Sequence, residues 1–198
     1  MGTCVANRCN KTASCKHISV DLEFIDSNVA FDFQVTMSSN KRSAATSGDV
    51  FAVSLGDGTW VLAQVIEDEP GAMNSLLCAF YDQQASSLDE LRQHVSSLDR
   101  YEPIAIEFVT KELLKSGVWP VIDNTPPAHR EQFTELSALR RAGYVGAKIR
   151  GAGIIRMLLM AFYGLYPWDG LADPEYFDKL LRPGARPRSP KYQRSKSP

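Results

Sequence analysis

The residues of this chain that could do chemistry are few: three histidines, four cysteines and a set of aspartates near turns. An acid–base enzyme needs several such groups converging on one point. His17 lies near the N-terminus, His94 falls on a predicted surface helix, and His129 follows a proline loop. His129 with Cys78 or Ser116 would be the nucleophile–base pair, yet no local signature surrounds any of the three. Cys4, Cys9 and Cys15 crowd the start of the chain beside His17, with spacings unlike a zinc knuckle or finger. Asp49, Asp57, Asp169 and Asp173 recur at bends without the spacing of a calcium loop. Aspartate at a bend accepts hydrogen bonds from nearby backbone amides, so turn and capping duty explains these four. The expectation is no catalytic set, no metal site and no cofactor.

The aromatic residues are the stronger candidates for function. Tyr163, Tyr166, Trp168, Tyr176 and Phe177 gather around Gly164, Pro167 and Gly170. Such a group is either the core corner between two helices or an anchor for a protein partner. Trp168 beside Asp169 joins a large contact area to a charge that can meet Arg or Lys. The candidate partner-binding residues are therefore Trp168, Asp169, Tyr166, Trp119 and Trp60.

Composition limits the classes available. A chain of 198 residues, 44% hydrophobic, can build one sizeable core, and 23% charged residues argue against wholesale disorder. The formal net charge of −1 hides an asymmetry. Arg182, Arg186, Arg188, Lys191, Arg194 and Lys196 are six positive charges with no acid among them, which leaves −7 on residues 1–181. An acidic body disfavours nonspecific nucleic-acid binding and suits a basic partner. A lone cysteine in the central region, no apolar signal core and no stretch of membrane-spanning length point to a reducing, cytoplasmic setting.

The elements that must position these residues read as follows. Residues 1–45 form an N-terminal extension. Within it, alternation at Ile18–Phe24 and Val29–Val35 fits a short hairpin, and Met37 opens a second plausible N-terminus. Val50–Val53 and Trp60–Ile66 are strands joined by the Gly56-Asp57-Gly58 turn. Neither face of the second strand is wholly polar, so the hairpin is covered on both sides or strongly curled. Leu76–Tyr81, Ile104–Val109 and Val118–Ile122 are further strands, with Pro120 pushing the last to an edge or bulge. Helices are predicted from Leu88 to Leu98, loosely over 128–142, from Ile154 to Gly164, and from Asp173 to Leu181. The predicted fold is α+β: a small, strongly curled antiparallel sheet with packed helices and C-terminal helices over residues 46–183. A basic Pro/Arg/Lys/Ser tail follows over residues 184–198 and is expected to be disordered.

Three segments in order carry a family resemblance. The first runs from Gly48 to Gly58 and returns through Gln64-Val65-Ile66. The second is Ser116-Gly117-Val118-Trp119-Pro120-Val121-Ile122. The third is Tyr163-Gly164-Leu165-Tyr166-Pro167-Trp168-Asp169-Gly170 with Asp173 to Leu181. Together they resemble the immunity protein 26 family of bacterial polymorphic toxin systems, over roughly residues 46–183. The chain departs from the compact family pattern by its extension before Gly48 and its basic tail after Pro183.

The resemblance implies a cytoplasmic inhibitor that protects its producer by binding a cognate toxin, often of nuclease type. Such an inhibitor need not catalyse anything, and the acidic body and the lack of a membrane-length stretch argue against a specific nucleic acid or a membrane as partner. Two other readings stand beside it: a general protein-interaction module without a toxin partner, and an enzyme of unknown class.

Overall fold

The structure is a computed structural model, and it describes residues 45–128, 133 and 136–188. The N-terminal cysteines, His17, the 18–35 hairpin, His129 and residues 189–198 lie outside the described residues.

Strand β1 (Asp49–Ser54) turns at Gly56 and Gly58 into β2 (Trp60–Glu69), and both glycines take positive φ, near +90°. A second hairpin leads to β3 (Ser75–Ala85). Helix α1 (Leu88–Val95) and a 3-10 turn (Leu98–Arg100) lead to β4 (Pro103–Val109). Then come α2 (Glu112–Lys115), β5 (Val121–Asn124), α3 (Leu136–Arg141), β6 (Ile149–Arg150) and α4 (Ala152–Phe162). The strands form one sheet in the order β5-β1-β2-β3-β4-β6. Every pairing is antiparallel except β4 with β6, which is parallel.

This sheet corrects the expected small, strongly curled antiparallel one. It is open, mixed and six-stranded, with β5 and β6 at opposite edges rather than joined. Apolar residues on both faces of β2 do not require a barrel, because each face has its own cover. Phe51, Val53, Val61, Ala63, Val65, Cys78 and Phe80 pack with α4, Trp119, Trp168 and Phe177. Val50, Ala52, Leu62, Ile66, Leu77, Ala79 and Tyr81 pack with Leu91 and Val95 of α1, with Leu98 and with Leu136 of α3. Burying both faces against helices removes the apolar area that curling would otherwise hide.

Local sequence accounts for the element ends. Ser87 caps α1, its hydroxyl accepting from Glu90 N at 3.2 Å. The Glu90 carboxylate returns to Ser86 N at 3.0 Å, a reciprocal cap. Strand β5 begins just after Pro120 and lies at the sheet edge, where a missing N–H is tolerated. Its Ile122 carbonyl accepts from Arg92 Nε of α1 at 3.2 Å, which blunts that edge. Helix α4 buries Ala152, Ile155, Leu158, Leu159, Ala161 and Phe162. Each fully buried Leu, Ile or Phe is worth roughly 1.5–3 kcal/mol.

The expected helix from Asp173 to Leu181 is a succession of turns instead, a second correction. Asp173 does cap it, its Oδ1 accepting from Glu175 N at 3.1 Å. Only scattered helical bonds follow, such as Lys179 N to Glu175 O at 3.3 Å. The apolar residues still face inward: Phe177 and Leu180 are buried. Packing of these side chains, not backbone helicity, holds the segment.

Candidate functional site

The aromatic corner follows directly from α4. Gly164 ends that helix at φ +79°, and its N–H donates to Ala161 O at 3.1 Å. The chain then places both Tyr166 and Trp168 against Phe177, with ring centroids 6.2 and 5.7 Å from it in edge-to-face arrangement. The Trp168 indole N–H donates to Asp178 Oδ2 at 3.0 Å. Gly170 leaves room for the Tyr166 ring, since a Cβ there would stand 2.4 Å from its Cε1.

The structure brings together three of the five candidate partner-binding residues and separates the other two. Tyr166, Trp168 and Asp169 share this corner, on the α4 side of the sheet. Tyr166 and Asp169 are half-buried, whereas Trp168 is 3% exposed. Trp119, 1% exposed, stacks on Phe51 with centroids 5.5 Å apart and planes 14° apart. Trp60, half-buried, packs against the opposite, α1-side core. The side chains of Trp119 and Trp168 thus lie inside the domain, while Tyr166, Asp169 and Trp60 reach its surface.

The acid–base candidates resolve into structural roles. Cys78 is fully buried in the sheet, and burial pushes its thiol pKa far up, so it is not a thiolate. Ser116 donates to Leu113 O at 3.2 Å at the end of α2. His94 Nδ1 lies 3.1 Å from the Tyr101 hydroxyl. Asp49, Asp57 and Asp173 accept from the backbone amides of Thr46, Thr59 and Glu175, at 2.9, 3.0 and 3.1 Å. Among the described residues, no group of three or more His, Cys, Asp or Glu side chains could hold a metal ion.

Three polar clusters, invisible to local sequence, shape the surface loops. The Gln64 side chain, wholly buried, donates to Thr125 O at 3.0 Å and accepts from Ala128 N at 3.0 Å. It thereby pins the Thr125-Pro126-Pro127 loop to β2. At the far end of β2, Glu69 is 3% exposed and bonds both Arg140 of α3 and the Tyr144 hydroxyl. The third cluster lies beside the end of α4. Asp82 accepts from the Tyr163 hydroxyl at 2.9 Å and from Arg188 Nε at 2.7 Å. Burial first, and the Asp82 charge second, push the Tyr163 phenol pKa far up, keeping it a hydrogen donor.

The Asp82 cluster also alters the expected domain end. The chain does not leave the fold at Pro183. Arg182 N donates to Ile104 O at 2.8 Å, and Arg188 N donates to Phe162 O at 3.1 Å. Residues 182–188 therefore form a strap held at both ends. Pro183-Gly184 reads as a stop in sequence, and nothing local announces a partner as distant as Asp82.

The surface also carries two exposed apolar tips, Met73 at 84% and Val145 at 80%. Their turns meet where Gly71 lies against the Tyr144 ring. Among the described residues, the non-glycine positions with positive φ all fall here: Met73, Asn74 and Tyr144. No described helix is long and apolar enough to cross a membrane.

Comparison with known proteins finds that residues 46–139 match the family described as immunity protein 26. No curated protein and no solved structure matches the chain. The match begins just before β1, contains the first five strands and ends in α3. It includes the hairpin and the Ser-Gly-Val-Trp segment, and it stops short of the aromatic corner. Residues 46–139 thus carry the likeness of this chain to the immunity protein 26 family, which supports a general immunity-protein role rather than an enzyme's.

Proposed function

We propose that this immunity protein acts in the cytoplasm by binding a cognate toxin domain directly and covering its active surface, and that the toxin is a nuclease. The observation that supports this most is the charge of the matched segment. Residues 46–139 contain fifteen Asp and Glu against five Lys and Arg, a net −10 in a chain whose total is −1. A nuclease presents positive surface to its substrate, so an acidic inhibitor is steered to the surface that it must block. The half-exposed Tyr166, Asp169 and Trp60 are candidate contacts, while Trp168 and Trp119, both buried, would contribute by holding the fold. Residues 46–183 would be the binding domain.

Co-expression with the toxin encoded next to it tests the reading. Growth rescue together with a co-purifying complex is the expected result. Rescue without a complex, or a complex without rescue, sinks direct neutralisation. A rate constant for association that does not fall with added salt removes steering and leaves neutralisation standing.

A further inference from the structure

A cleft of about 500 Å³ lies between the 182–188 strap and the adjoining ends of β3 and β4. Its walls include Asp82 and Glu102 on the sheet side and Arg182 and Arg186 on the strap side, over Ile104 and Phe162. The charges on the two walls are not equivalent. Asp82 is already taken by Arg188 and Tyr163, and Glu102 has an interaction of its own. Neither Arg182 nor Arg186 makes a side-chain hydrogen bond or ion pair among the described residues. The unsatisfied charge in the cleft is therefore positive, within a domain that is otherwise acidic.

The strap also holds in place the backbone that carries these arginines. Arg182-Pro183-Gly184-Ala185 is a tight turn, closed by Ala185 N to Arg182 O at 3.0 Å, with Gly184 at φ +91°. Proline before a left-handed glycine is the composition that a type II turn requires. The pins at Ile104 and Phe162 hold the turn from both sides. Binding at a fixed site loses less conformational freedom than binding that must first order a loop.

We infer that this cleft is a binding subsite for a carboxylate carried on a small apolar stem, received by the guanidinium groups of Arg182 and Arg186. Guanidinium pairs with carboxylate through two parallel N–H···O bonds, and the accessible Pro183 and Ala185 of the lining offer apolar contact to a short hydrocarbon stem. The site goes beyond toxin neutralisation and does not rest on it.

The test is an amide-resolved NMR titration of the full chain with 3-methylbutanoate, its neutral amide and inorganic phosphate. The acid should give saturating shifts at the Ile104, Arg182 and Ala185 amides, with a dissociation constant on the order of 1 mM. The neutral amide and phosphate should each bind at least about tenfold more weakly. Arg182→Gln with Arg186→Gln should abolish saturation, while each single variant weakens it; unshifted amides elsewhere show that the fold is kept. No saturable shift, an equal response to the neutral amide, an equal response to phosphate, or unchanged binding by the double variant would each overturn the assignment.

Discussion

Trp168 and Asp178 meet through an indole N–H···carboxylate bond of 3.0 Å, which ties the corner after α4 to the turns that precede the strap. The Trp168 ring packs edge-to-face on Phe177, itself fully buried. Trp168 is thus a keystone of the corner, with Tyr166 and Asp169 beside it nearer the surface. Trp168→Ala removes a buried aromatic and should cost about 3–5 kcal/mol. Trp168→Phe keeps most of the volume and should cost less. Denaturant unfolding of both variants measures this. A Trp168→Ala protein of unchanged stability would show that the corner is not core.

Gly170→Ala probes the same corner from outside. The new Cβ would collide with the Tyr166 ring, a side chain that can swing away without unfolding the domain. The expected outcome is a retained fold, a displaced Tyr166 and weaker binding of the cognate toxin. Unchanged affinity with a displaced ring would remove Tyr166 from the contact set.

Gln64→Leu should cost about 1–3 kcal/mol, because it strands the carbonyls and amide that its side chain satisfies. Hydrogen exchange at the Ala128 amide should accelerate more than exchange within β2. Uniform acceleration across the domain would mean that the loop is not separately pinned.

Glu107 gives a pH dependence of defined sign. It sits on β4 beside Arg150 of β6, 3.3 Å from its Nε. Burial raises its pKa above the ordinary value of 4.5, and the Arg150 charge only partly offsets the rise. In the interval above that value the native state holds a proton that the unfolded chain has released. Its contribution to stability is complete below 4.5 and is lost as pH rises through the folded value. Glu107→Gln cannot titrate, so its stability should lack this fall. Parallel profiles for both proteins would assign the slope to another group.

Arg188→Ala should free the strap while leaving global stability almost unchanged, since the Arg188–Asp82 pair is largely exposed on the Arg side. Amide exchange at Arg182 and at position 188 is the sensitive measurement. Unaltered exchange at both would show that the backbone pins alone hold the segment.

The sequence by itself determined the local elements of this protein. Short apolar runs marked β1 and β3, apolar residues on both faces marked β2, alternation marked β4, and Gly56, Gly58 and Gly164 marked chain reversals. It also carried the likeness to the immunity protein 26 family over residues 46–139, because ordered motifs are a property of the chain and survive without coordinates. Tertiary structure decided what covers each face. Apolar residues on both sides of β2 require burial but do not name the partner, so an open sheet between helices and a curled one look alike in sequence. Burial likewise separated Trp119 and Trp168 from Trp60, although all are tryptophans beside turns. The strap was least legible of all: Arg188 reaches the Asp82 carbonyl across 106 positions, and no local pattern encodes an ion pair that only folding brings together.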